Sequence, residues 1–365
     1  MDTKYTRRLK KIEGVLDQWL PEAPDSVWLE KVFAPFSSVG TGGFVSPELA
    51  ASLTRPGWDL VKRGGKRWRP LLMVLSAECV AGESGGDAVL SLTPLVEFPH
   101  NASLIHDDIE DNSDERRGKP AVHIAYGTDA AINTGAFMYF LPLACLSAWK
   151  GNPQIKEQLW AAWARHMRAL HLGQAMDIAW HRDFKSLPRL DEYDRMCRLK
   201  TGCLARLAAI LGVIVGAEAT GATSLEEIAP LADSFGNAAE QLGVGFQILD
   251  DVKNLSTGIP GKKRGDDIVE GKKSLPVLLY LHRYPEKRDF AARCFTAARA
   301  SGVASPKVDE FISDLEKAGV LDEGREKALE YIAKSREVFS AERVADVSLQ
   351  KEGRELLAGL VDLLI

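Results

Sequence analysis

Two aspartate-rich stretches carry side chains whose type and spacing can do chemistry: Asp107-Asp108-Ile109-Glu110-Asp111 and Asp250-Asp251-Val252-Lys253-Asn254. Each closes an apolar helical run. Residues three and four apart share a helix face, so Asp107 stacks on Asp111 with Asp108 at its flank. Asp250, Asp251 and Asn254 repeat the arrangement, with Gln247 one turn before them. Carboxylates packed this closely repel one another unless a cation sits among them. Oxygen-only ligands suit a hard ion such as Mg2+, which keeps several waters and shares its other positions with substrate phosphates. Two such faces opposed across a cavity would clamp a diphosphate. One DDxxD alone reads equally well as a solvated acidic turn; two, each with basic residues at orderly offsets, favour the clamp.

The basic residues come with glycines. Gly64-Gly65-Lys66-Arg67-Trp68-Arg69-Pro70 sets two glycines before a cationic cluster. Glycine lets a loop turn tightly and approach an anion, and Lys66 and Arg69 can converge on one phosphate. Arg116 and Arg117 follow the first acidic stretch; Lys200-Thr201, Lys263 and Lys272 lie in the same part of the chain as the second. Salt bridges alone would explain the charges but not the placement of the glycines.

The elements that must position these groups are helical. Hydrophobic periodicity predicts helices over roughly 5–20, 47–62, 66–82, 87–112, 129–149, 154–182, 191–217, 225–256, 267–283, 287–301, 322–339 and 341–364. Breaks fall at Pro21 and Pro24, Gly40–Gly43, Gly64-Gly65, Gly82 to Gly86, Gly151-Asn152-Pro153 and Gly258 to Gly265. No convincing alternating strand is present. Leu141 to Trp149 and Leu204 to Val215 are apolar all round, as helices in the middle of a bundle are. The expectation is an all-α fold: one helical domain over 46–365 around a central cavity, preceded by a helical extension over 1–45. Pro94 and Pro99 fall inside the apolar run that leads to the first aspartates and should kink it.

Composition narrows the class. A net charge of -5 with pI ≈ 5.9 argues against a nucleic-acid partner. Five cysteines (Cys79, Cys145, Cys197, Cys203 and Cys294), an odd number without CxxC spacing, read as reduced buried thiols of a cytoplasmic protein. No unbroken run of eighteen apolar residues exists, so no transmembrane segment is expected. Tyr5, Leu9, Ile12, Leu16 and Leu20 make the N-terminus an amphipathic helix; Asp2, Glu13 and Asp17 weaken a transit-peptide reading.

Taken in order, Gly64-Gly65-Lys66-Arg67-x-Arg69-Pro70, Ser103-Leu104-Ile105-His106-Asp107-Asp108-x-x-Asp111 with Arg116-Arg117-Gly118, Gly173-Gln174-x-x-Asp177, Lys200-Thr201, Gly245-Phe246-Gln247-x-x-Asp250-Asp251 and Gly261-Lys262 to Glu270-Gly271-Lys272 resemble the trans-isoprenyl diphosphate synthases, the polyprenyl synthetases. The agreement covers roughly residues 60–285. The resemblance implies the all-α isoprenoid synthase fold, a homodimer, and Mg2+, three ions per active site. It implies that Asp107, Asp108, Asp111 and Asp250 hold Mg2+ on an allylic diphosphate. Arg116, Lys200, Thr201, Gln247, Lys263 and Lys272 would surround that diphosphate, and Lys66, Arg69, His100 and Arg117 would hold isopentenyl diphosphate. The resemblance also implies that the departing diphosphate takes the proton; no dedicated general base is evident in the sequence.

One departure stands out: the family's second motif usually ends in a third aspartate, and Asn254 occupies that place. An amide oxygen can ligate but carries no charge, so Asn254→Asp is expected to be tolerated or to raise activity. Lys253 beside it is also unexpected in so acidic a site. His106 and His123 read as structural histidines, and Trp180 with Phe137-Met138-Tyr139-Phe140 as core. Two alternatives stay open. A class I terpene cyclase or head-to-head synthase would not need Lys66, Arg69 and His100; a non-catalytic subunit would be hinted at only by Asn254. In the family this sequence resembles, the chain grows along the helix that carries the first acidic motif, so the small residues Ala102 and Ser103 before Asp107 imply a C20 geranylgeranyl product or longer. Leu95, Val96, Phe137, Tyr139 or Phe140 would then form a deeper floor.

Overall fold

A computed structural model describes residues 3–33, 45–222, 225–258 and 263–365. The Gly40–Gly43 break and the Gly261-Lys262 pair lie outside them. These described residues are 80% helical. It forms two compact units, one of residues 1–164, 207–233 and 342–357, the other of 165–206, 234–341 and 358–365.

In the first unit the helix Pro94–Glu110 packs along the helix Thr128–Phe140. Gly135 makes the closeness possible: a Cβ there would lie 2.4 Å from His106 Nε2. The helix Trp68–Ala81 is buried on nearly every face, with Leu71, Leu72, Met73 and Leu75 inaccessible to solvent. The N-terminal helix Thr3–Trp19 lays Tyr5, Ile12 and Leu16 into the same core, as its periodicity requires. It is locked by a buried ion pair, Arg8 Nη2 to Glu78 Oε2 at 2.7 Å, and by the Tyr5 hydroxyl donating to the Leu356 carbonyl at 2.6 Å. Removing one partner of that ion pair would strand a buried charge at a cost of about 3–5 kcal/mol.

In the second unit residues 234–256 of the long helix Leu225–Ser256 contribute Phe235, Leu242, Val244, Ile248 and Leu255 to the core. The helices Arg288–Ser301 and Pro306–Lys317 close an aromatic cluster, in which Phe295 and Phe311 meet edge to face at 5.6 Å.

Several elements depart from the periodicity. Pro94 begins its helix instead of bending it, at a position where the missing N–H costs nothing, and the helix runs on through Pro99 to Glu110. The helices Ser26–Phe33 and Pro306–Lys317 are additional to the predicted set. Two short antiparallel hairpins, 115–116 with 119–120 and 343–344 with 347–348, stand where no strand was expected. All five cysteines are buried free thiols.

By length and average composition alone, Thr128–Ala148 and Leu190–Ala219 are apolar enough to cross a membrane, although neither is an unbroken apolar run. The most apolar windows of these stretches are 50% and 78% buried within the protein, as core helices are. Phe140 corrects the core assignment in the other direction: Met138 and Tyr139 are buried, but Phe140 is 65% exposed.

Candidate functional site

In the first unit the helix Pro94–Glu110 ends within the first acidic motif, with Asp111 as its C-terminal cap. Asp108 is inaccessible to solvent, while Asp107 and Asp111 are half-buried. Arg116 grips only one of the Asp108 oxygens: its Nε donates to Oδ1 at 2.9 Å and its Nη2 donates to the same atom. Asp108 Oδ2 is buried without a hydrogen-bond partner. Burial raises the Asp108 carboxyl above the usual carboxylate range, with Asp107 and Asp111 adding to the effect and Arg116 opposing it.

The residues after the motif form a hairpin, not a helical continuation. Glu115 pairs with Pro120 and Arg116 with Lys119, which leaves Arg117 and Gly118 as a two-residue turn. Both have positive φ, 54° and 74°, the backbone of a type I′ turn. Arg63, just before the glycine pair, donates to the carbonyls of Arg116 at 3.1 Å and Pro120 at 2.8 Å. The hairpin and the Gly64-Gly65 loop are thereby tied together. Gly65 sits at φ 140° with Arg117 against it; a Cβ there would lie 3.1 Å from Arg117 Nη2.

Around these loops the positive charge is dense. Burial, with Arg67, Arg116 and Arg63 nearby, pushes the Arg117 guanidinium down to about 10, against the pull of Glu97. Burial, and then Arg69, Arg117, Arg67 and Arg116, hold the His100 imidazole well below its ordinary value. Arg69 is buried and lies 4.4 Å from the Trp68 ring centroid; Lys66 is exposed. Lys66, Arg69, His100, Arg116 and Arg117 thus belong to one cluster of packed elements, as does the first aspartate motif.

In the second unit a π-helical turn, Arg198–Gly202, interrupts what the periodicity reads as one helix over 191–217. Two close backbone approaches accompany it. A Cβ on Gly173 would lie 2.4 Å from the Lys200 nitrogen, and one on Gly243 would lie 2.7 Å from the Gly202 Cα. One turn beyond each glycine stands a partner for the π-turn. Asp177 Oδ2 accepts from Lys200 Nζ at 2.6 Å, and Gln247 Oε1 accepts from the Thr201 hydroxyl at 2.8 Å. Although burial alone would raise it, Asp177 is held below the usual carboxylate range by Lys200 and Lys272.

Asp250 and Asp251 serve differently. Asp250 is half-buried, whereas both oxygens of the buried Asp251 are committed. Asp251 Oδ1 accepts from Gln247 Nε2 at 2.9 Å; Oδ2 accepts from the Tyr193 hydroxyl at 2.7 Å and the Leu275 amide at 3.3 Å. Asn254 is buried and also spent locally. Its Oδ1 accepts from the Asp267 amide at 3.1 Å and its Nδ2 donates to the Lys263 carbonyl at 3.5 Å. Lys253, unexpected in so acidic a stretch, turns away from the aspartates and donates to the Ile365 carbonyl at 3.3 Å. Lys272 pairs with Glu270, and Lys263 is exposed. His106 lies against the Ile132 carbonyl at 3.4 Å, in keeping with a structural role.

Among the described residues no three His, Cys, Asp or Glu side chains converge into a cage for a metal. The donors present still fit a hard divalent ion that takes much of its shell from water and a diphosphate: they are all oxygens, and one, Asp108 Oδ2, is buried without a partner. Asp177, Tyr193 and Asp251 are supporting residues the motif reading did not assign, because their partners are distant in sequence. Asp177 and Asp251 stood inside sequence motifs without an assigned role, and nothing local signalled Tyr193.

A polyprenyl synthetase family model matches residues 50–309. The chain is 31% identical over 318 residues to the geranylfarnesyl diphosphate synthase of Aeropyrum pernix, spanning 84% of this chain and 91% of that protein. It is 35% identical over 223 residues to the geranylgeranyl diphosphate synthase of Methanosarcina mazei, spanning 60% of this chain and 64% of that one. The fold superposes on the crystal structure of geranylgeranyl pyrophosphate synthetase from Pyrococcus horikoshii with a TM-score of 0.76 at 25% identity, covering 99% and 98% of the two chains. The fold is therefore the all-α isoprenoid synthase fold, and the chain belongs to the polyprenyl synthetase family. It is a trans-prenyltransferase.

Proposed function

We propose that the enzyme extends an allylic diphosphate by condensing it with isopentenyl diphosphate, and that its product is geranylgeranyl diphosphate or a longer chain. The observation that carries this reading is the company kept by the first acidic motif. Asp108 has a buried oxygen free to take a ligand, and the cations beside it on the Gly64-Gly65 loop and the hairpin suit a second diphosphate. A cyclase has no use for that second cluster, and a head-to-head synthase needs no isopentenyl diphosphate site.

In this reading Asp107, Asp108, Asp111 and Asp250 hold Mg2+, which when bound neutralises charge on the allylic diphosphate. Arg116, Lys200, Thr201, Gln247, Lys263 and Lys272 bind the same group. The allylic C–O bond breaks with its electron pair leaving on diphosphate, and Arg116, Lys200 and Lys272 meet that developing charge. Lys66, Arg69, His100 and Arg117 hold isopentenyl diphosphate so that its alkene bonds to the allylic carbon. The resulting cation loses a proton to the departed diphosphate. We assign the enzyme to the cytoplasm, consistent with five buried free thiols. We also assign it as a homodimer, for which the exposed Ile132 and Phe140 of one helix offer an apolar surface.

The test is incubation of the purified chain with isopentenyl diphosphate, allylic primers and Mg2+, with chromatography of the dephosphorylated products. Chain elongation is expected, and its absence overturns the reading. Lys66→Ala or Arg69→Ala should mainly raise the Michaelis constant for isopentenyl diphosphate, and Lys200→Ala or Lys272→Ala that for the allylic substrate. Both pairs acting through one substrate would refute the partition.

A further inference from the structure

Arg67 stands between Lys66 and Arg69 and faces neither of their tasks. Its backbone is left-handed, at φ 47°, where the Gly64-Gly65 loop passes into the helix Trp68–Ala81. A side-chain-bearing residue persists there only when its surroundings over-determine it. Those surroundings are specific. Arg67 Nε donates to Glu13 Oε1 at 2.6 Å, Nη1 donates to Glu97 Oε1 at 2.7 Å, and Nη2 donates to the Val61 carbonyl. Glu97 Oε1 also accepts from Asn101 Nδ2 at 2.9 Å, and Asn101 Oδ1 accepts from Arg117 Nη1 at 3.2 Å. A continuous chain of hydrogen bonds thus runs from the N-terminal helix to both cationic loops.

We propose that Glu13 is a positioning residue for the isopentenyl diphosphate pocket, so that the N-terminal helix is part of the substrate-binding apparatus. This rests on the function proposed above. Three arginines, Arg67, Arg116 and Arg117, crowd a partly dehydrated region, and mutual repulsion tends to spread them apart. Glu13 and Glu97 take up the Arg67 guanidinium from two sides. That fixes the backbone on which Lys66 and Arg69 stand and leaves Arg117 to Asn101 and the Leu60 carbonyl. Glu13 comes from a helix that is itself anchored by the Arg8–Glu78 pair and the Tyr5–Leu356 bond, so its carboxylate arrives from a rigid support. The Glu13 side chain is 37% exposed, so its neutral analogue fits the same space without unfolding the helix.

The experiment compares the full-length wild type, Glu13→Gln, and Lys11→Ala as a control. Lys11 lies on the same helix but pairs with Asp87 at 2.6 Å, away from Arg67. Glu13→Gln is expected to raise the Michaelis constant for isopentenyl diphosphate about three- to tenfold, as for loss of one partly exposed charge-assisted hydrogen bond. The kcat, the Michaelis constant for the allylic primer and the melting temperature should hold, and Lys11→Ala should match wild type throughout. An unchanged constant for isopentenyl diphosphate overturns the inference. So does a parallel change for both substrates, or an equal effect of Lys11→Ala, because either would mean loosened helix docking. A wild-type chain that elongates no primer overturns the functional reading itself, whereas active wild type with an inert Glu13→Gln overturns only this inference.

Discussion

Asp108 and Asp251 each stand in an aspartate pair on a helix, yet their oxygens are disposed differently. One Asp108 oxygen lacks a partner, whereas Asp251 spends both on Tyr193, Gln247 and the Leu275 amide. The first keeps a buried oxygen open, and the second braces Tyr193 and Gln247. Asp107→Ala or Asp111→Ala should lower turnover by about two to three orders of magnitude while the melting temperature holds, because leaving-group stabilisation is lost. Near wild-type turnover would remove these carboxylates from the site. Asn254 reverses the expectation drawn from the family pattern. Aspartate there would keep the acceptor for the Asp267 amide but set a second oxygen against the Lys263 carbonyl, in a place 1% exposed. Asn254→Asp should therefore cost about 1–3 kcal/mol of stability, read as a lower melting temperature, with no gain in turnover. A stable, faster variant would instead restore this position as a metal ligand.

The helix Pro94–Glu110 is the element on which product length turns. In the family reading the growing chain runs down this helix, and one turn rises about 5.4 Å, close to one isoprene unit. Ala102 is fully buried, while Ser103 is half-buried with its hydroxyl donating to the His100 carbonyl at 2.8 Å. Phenylalanine at 102 would overpack a filled core at a cost of about 1–3 kcal/mol, so Ser103→Phe is the cleaner probe. It should shorten the product relative to wild type, as read by chromatography of dephosphorylated prenols. An unaltered product, or a wild type that already stops at fifteen carbons, would defeat the floor argument. The exposure of Phe140 removes it from the set of deeper stops, and leaves the buried Leu95, Val96 and Tyr139, with the half-buried Phe137, as candidates.

Stability of the folded chain as a whole carries the signature of a buried lysine. Lys273, 2% exposed, donates to the Trp180 and Gly271 carbonyls at 3.2 and 3.0 Å and sits 4.5 Å from the Phe295 ring centroid. Burial, with Arg299 adding to it, pushes its ammonium from the ordinary 10.5 down to about 8. Between those two values the unfolded chain keeps a proton that the folded chain has shed, so this group makes stability rise with pH across that window. Lys273→Met abolishes that contribution. The melting-temperature difference between wild type and variant should therefore shift in favour of wild type from pH 8 to pH 10.5; a constant difference would refute the burial argument.

What the sequence determined by itself was local chemistry and its order along the chain. Carboxylates at helical spacing, glycines before cations and apolar periodicity are short-range patterns, and they placed the helices, the acidic motifs and the basic loops with little loss. Tertiary structure decided whatever depends on a distant partner. The π-turn at Lys200-Thr201 is shaped by contacts with Gly173 and Gly243, and no window around Lys200 contains either of them. The Arg117-Gly118 turn became a hairpin because its strands pair, although the glycine after an arginine was its one local sign. Asp251 and Asn254 read as members of an acidic motif until Tyr193, Leu275, Lys263 and Asp267 claimed their polar atoms. Glu13 and Arg67, fifty-four positions apart, meet only when the N-terminal helix docks. Spacing along a helix says which groups share a face; desolvation and partner geometry, which set what each group is free to do, exist only once the chain has folded.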